Sequence, residues 1–103
     1  MVDTTPLTRA VEHFADRLRA APQSRLQRSG AAEALALARQ LALWAQSAEE
    51  SGAEAREMPD AGMFAVADQI TVAGNDLAVV LVSEEQVAEA VRLVEEARKR
   101  AGL

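Results

Sequence analysis

The sequence predicts an all-α, four-helix bundle-like single domain, and three observations carry that prediction. Alanine, the strongest helix former, occurs 23 times, against three aromatic residues in all. Apolar residues recur at helical spacing in four successive segments. Cap signals, prolines and glycines fall between those segments, where helices should start and stop. The expected helices span about 6–21, 24–51, 61–82 and 84–101, and residues 1–4 are expected to be disordered.

The first helix is read from Thr5 as N-cap and Pro6 at the first helical position, where a missing N–H costs nothing. Leu7, Val11, Phe14 and Leu18 fall on one stripe, with Arg9, Glu12, Asp16 and Arg19 on the opposite side. Pro22 ends this helix by pushing Ala21 out of the α region.

Ser24-Arg25-Leu26-Gln27 then reads as a capping box that opens the second helix, and Gly52 should stop it. Ser29-Gly30 is a candidate break. Leu26, Gly30, Ala34, Leu37, Leu41, Trp44 and Ala48 form its main stripe. Between Ala31 and Ala45 only Glu33, Arg39 and Gln40 are polar, and a helix so apolar is normally buried on more than one side. Leu35, Ala36 and Leu43 point away from the main stripe, so a partner is expected to cover them.

Gly52 to Asp60 is the main loop, with Asp60 as N-cap of the next element. The third segment admits two readings. As a helix, it places Met63, Ala67, Ile70, Gly74, Leu77 and Leu81 on one stripe, with polar residues on the other side. As strands, it becomes a β-hairpin over 69–82 turning at Gly74-Asn75, which would make the fold α+β. The helical period of the polar positions, and the marginal stability of a lone two-stranded hairpin, favour the helix.

The fourth helix has the clearest signals. Ser83-Glu84-Glu85-Gln86 is a capping box with acids in the first turn. Val87, Val91 and Val94 make its stripe, basic residues 98–100 fill its last turns, and Gly102 ends it.

Composition excludes several kinds of chemistry. The chain of 103 residues has no cysteine, hence no disulfide and no thiolate site. His13 is the single histidine, no serine lies in a nucleophile-elbow motif, and no Glu-x-x-His or calcium-loop motif occurs. The expectation is therefore a non-enzyme without a cofactor or metal. A net charge of −5 argues against sequence-independent nucleic-acid binding. The charge is uneven: residues 1–46 carry net +2 and residues 47–103 net −7. The longest apolar run, Leu77 to Val82, is far short of a membrane span, and no basic start or apolar run of a signal peptide is present, so a cytoplasmic location is expected. Ten arginines against one lysine, with the alanine bias, fit a GC-rich bacterial genome.

The expected function is a helical interaction module, an adaptor or regulator of another protein, acting as a homodimer. Its expected interface is the face of the second helix that carries Leu35, Arg39 and Leu43, with Trp44 as core residue or anchor. Arg39 on that face would need an acid from the other chain, such as Glu50 or a residue of the Glu54–Asp60 loop. Two alternatives rest on other residues. Asp68, Gln69, Asn75 and Asp76 share a helical face and could hold an ion or polar ligand. Arg17, Arg19, Arg25 and Arg28 form the one basic cluster and could meet nucleic-acid phosphate, although no aromatic residue interleaves with them.

Overall fold

A computed structural model describes residues 2–49 and 56–103 of the chain. They form α1 (Thr5–Ala20), α2 (Gln23–Arg25), a π-helical turn (Leu26–Gly30), α3 (Ala31–Glu49), α4 (Val66–Val80) and α5 (Glu84–Arg100). No strand occurs among the described residues, so the hairpin alternative falls and the fold is an all-α helical bundle. Helical backbone runs unbroken from α2 through the π turn into α3. A continuous rod of that length spans ~40 Å, close to the 39 Å long axis of the molecule.

Local chemistry explains most helix ends. α1 opens at Thr5, one residue before the expected start, with Thr4 as the flanking residue and Pro6 in the first turn. The Thr5 N–H donates to Asp3 Oδ1 at 2.9 Å, and Val2 packs against the core. The expected Ser24–Gln27 capping box does not form. Pro22, held extended, starts the rod instead, and its carbonyl accepts from the N–H groups of Arg25 and Leu26. The Ser83–Gln86 box is complete: Gln86 N–H donates to Ser83 Oγ at 3.1 Å, and Ser83 N–H donates to Gln86 Oε1 at 3.3 Å. Asp60 caps a turn rather than a helix. Its Oδ1 accepts from Gly62 N–H at 2.9 Å, Gly62 turns left-handed at φ 95°, and α4 begins only at Val66.

Helices α1, α4, α3 and α5 pack in that cyclic order. Arg19 meets Asp68 and Val11 meets Gly74, so α1 and α4 run antiparallel. Arg100 meets Glu33 and Ser29 meets Ala101, so α5 runs against α3. Leu26, Ala31 and Leu35 share a groove with Met63 and Val66, which places the starts of α3 and α4 side by side. These two consecutive helices are therefore parallel.

The core is the convergence of four stripes. Leu7, Val11, Phe14 and Leu18 of α1 are buried, as are Leu37 and Leu41 of α3, Ile70 and Leu77 of α4, and Val87 and Val94 of α5. Buried alanines, among them Ala34, Ala38, Ala73 and Ala90, let the helices approach closely. No polar or charged residue is buried among the described residues. Gly74 lets α4 approach α1 closely: a Cβ there would lie 2.7 Å from Val11 Cγ2.

Candidate functional site

A chain leaving α3 and entering a parallel α4 must return along the bundle. Residues 56–62 make that return as a strap along α3. Arg56 N–H donates to Gln46 Oε1 at 2.7 Å, and Gln46 Nε2 donates back to the Arg56 carbonyl at 3.0 Å. Arg39 Nε donates to the Met58 carbonyl at 2.8 Å, with its guanidinium 3.7 Å from Glu57. Gln69 Nε2 reaches over from α4 to the Pro59 carbonyl at 2.9 Å. Met58 and Met63 pack against the core from above.

The strap revises the expected interface. Arg39 has its acid and its acceptor within its own chain, so a second chain is not needed to satisfy it. Glu50 and Glu54, its other expected partners, lie outside the described residues. Leu35 is half-buried, packs on the core and lines the groove beside the strap. Trp44 is also half-buried against the core. Leu43 alone of the four stands open, at 53% exposure.

The polar quartet of α4 divides into three. Asp68 receives a 2.8 Å hydrogen bond from Arg19 Nη2, across the α1–α4 contact. Gln69 is taken up by the strap, and its Oε1 is enclosed without a donor among the described residues. Asn75 and Asp76 are exposed, with no side-chain hydrogen bond or ion pair among the described residues. No three His, Asp or Glu side chains group closely enough to hold a metal ion among the described residues.

The arginine cluster is likewise dispersed. Arg19 belongs to Asp68 and Asp16. Arg25 Nη1 donates to the Gly102 carbonyl at 2.6 Å, tying α2 to the end of α5. Arg17 and Arg28 are exposed and form no ion pair among the described residues. His13 is exposed on α1.

Two surface features escaped the sequence reading. Where α1, the π turn and the strap meet, Leu26, Met63 and Val66 separate two adjoining grooves of about 350 and 190 Å³. Phe64 stands beside them, 76% exposed. The second feature is the outward row of α4, where Val72 is 56% and Val79 83% exposed, continued by Val82 at 79%. The signal for that row was present: Val72 and Val79 sit seven residues apart, on the same side as Asp68 and Asn75 and opposite Ile70 and Leu77. Among the described residues, no helix is long and apolar enough to cross a membrane. Comparison with protein-family models, with curated proteins and with solved structures finds no match to this chain.

Proposed function

We propose that this protein is a non-enzymatic helical interaction module that acts as a homodimer and regulates or adapts another protein. The supporting observation is the exposure of Leu43, Phe64, Val72, Val79 and Val82 on a domain whose core is otherwise closed and wholly apolar. Full burial of a large apolar side chain is worth ~1.5–3 kcal/mol; these five forgo the share that their 53–83% exposure represents, and association recovers part of it. Sedimentation equilibrium tests the reading. The expected result is a mass rising from one chain toward two as concentration increases into the high micromolar range. A single-chain mass throughout that range refutes the homodimer.

A further inference from the structure

We propose that the groove between the starts of α1 and α5 binds a small organic ammonium ion, an amine with an alkyl or aryl-alkyl body. The inference is independent of the homodimer reading. α1 runs antiparallel to α4, α4 parallel to α3, and α3 antiparallel to α5, so α1 and α5 are parallel and begin side by side. Between their first turns lies a groove of about 390 Å³, lined by Asp3, Pro6, Glu84, Val87, Ala88 and Val91. That volume falls within the ~300–1,000 Å³ typical of small-molecule sites. The groove follows α5 for only about two turns, ~10 Å, which suits a small molecule better than a partner helix.

The chemistry of the lining selects the occupant. Pro6, Val87, Ala88 and Val91 supply an apolar floor, and Val87 is buried in the core. Asp3 and Glu84 are exposed carboxylates on the rim. Glu84 accepts no hydrogen bond and forms no ion pair among the described residues. Hydrogen bonds from Thr5 hold the Asp3 carboxyl below its usual range, so it is charged at neutral pH. With both acids ionised, none of the six lining side chains carries an N–H or O–H, so they accept hydrogen bonds and donate none. Backbone donors at the two helix starts are engaged as well: Thr5 N–H donates to Asp3 Oδ1 and Gln86 N–H to Ser83 Oγ, while Pro6 has no N–H. Arg9 stands outside the lining, and Arg92 is taken up by Glu89 and Glu96. An anion would meet two like charges here. An ammonium ion sets its N–H groups on the carboxylates and its carbon body on the valines and Ala88.

An NMR titration of backbone amides tests the assignment with three probes that share a phenylethyl body: 2-phenylethylammonium, 2-phenylethanol and 3-phenylpropionate. The ammonium is expected to bind the native chain saturably and to move the signals of Glu84, Val87, Ala88 and Val91 most. The alcohol should bind about tenfold more weakly, and the carboxylate more weakly still. Asp3→Asn keeps an acceptor for Thr5 N–H, and Glu84→Gln leaves a good helix former in the first turn. The double variant should keep the native circular dichroism spectrum, bind the ammonium about tenfold more weakly and no longer prefer it over the alcohol. The assignment is overturned by any of four results: no saturable binding of the ammonium at millimolar concentration, largest shifts away from the groove, equal binding of the three probes, or unchanged affinity in the folded double variant. The probe comparison on the native chain decides the matter even if the variant fails to fold, and none of these readings depends on whether the chain dimerises.

Discussion

Gly74→Ala offers a sharp test of how α1 and α4 are held together. A Cβ at position 74 would meet Val11 Cγ2 at 2.7 Å, Cγ1 at 3.2 Å and Cβ at 3.3 Å, whereas carbon atoms prefer ~3.5–4.0 Å. Val11 is only 1% exposed and, being β-branched on a helix, has one strongly preferred rotamer, so it cannot turn aside. Overpacking of this kind costs about 1–3 kcal/mol. Replacing a mid-helix glycine with alanine returns ~1 kcal/mol of helix propensity. The single variant should therefore lose up to ~2 kcal/mol. Val11→Ala removes two buried methyl groups and should cost about 2–3 kcal/mol with its cavity. In that background the clash is gone and the new methyl fills part of the void. Gly74→Ala should then stabilise, and the two changes should couple favourably by about 1–3 kcal/mol. Urea unfolding followed by circular dichroism measures all four corners of the cycle. Additivity within ~0.5 kcal/mol would falsify the notch between Val11 and Gly74.

Three further outcomes are expected. Ser83→Ala removes the acceptor for Gln86 N–H and half of a complete capping box, and should cost ~1 kcal/mol in urea unfolding. Arg39→Ala removes the hydrogen bond to the Met58 carbonyl, so amide exchange across residues 56–60 should accelerate with less than ~1.5 kcal/mol of global loss; unchanged strap protection would show that Arg39 does not hold it. Hydrogen bonds from Thr5 hold the Asp3 carboxyl below its usual range, and the hydrogen bonds from Arg92 do the same for Glu89. A lowered carboxyl contributes stability that is complete above its unfolded value, near 4, and is lost as pH falls through the lower folded value. Thermal midpoints should thus be flat from neutrality to about pH 5 and decline below pH 4, by a small amount because both carboxyls lie at the solvent-exposed surface.

The elements most legible in the sequence were those written by short-range chemistry. α1 and α5 carry their stripes, their stop signals and, for α5, a cap whose partners lie three residues apart. The core list of α1 is the predicted stripe with Ala15 added. The strap was not legible, because α3 and α4 grip it through backbone carbonyls at 56, 58 and 59, and any residue supplies a carbonyl. One clue was visible: Arg39 interrupts a nearly all-apolar stretch. An arginine there predicts an acid from another chain, yet its partner, Glu57, lies about twenty residues on in the same one. Gly74 misled in a different way. A glycine before an asparagine resembles a hairpin turn, yet here it serves a helix that passes too close to Val11 for any side chain. The sequence marks that a Cβ is missing without marking whether space or backbone angle demands it.

The parallel placement of α3 and α4 has an electrostatic consequence at the two ends of the bundle. Each helix carries about half a positive charge at its start and half a negative charge at its finish. The rod that begins at Gln23 and α4 both start at the end of the molecule where α1 and α5 finish, as the Arg25–Gly102 and Arg19–Asp68 contacts show. Two positive poles and two negative poles thus sit together at each end and largely cancel. The backbone of this protein therefore projects no strong axial field. Attraction of a distant charged partner falls to the side chains, whose uneven distribution runs along the sequence and not along the bundle axis.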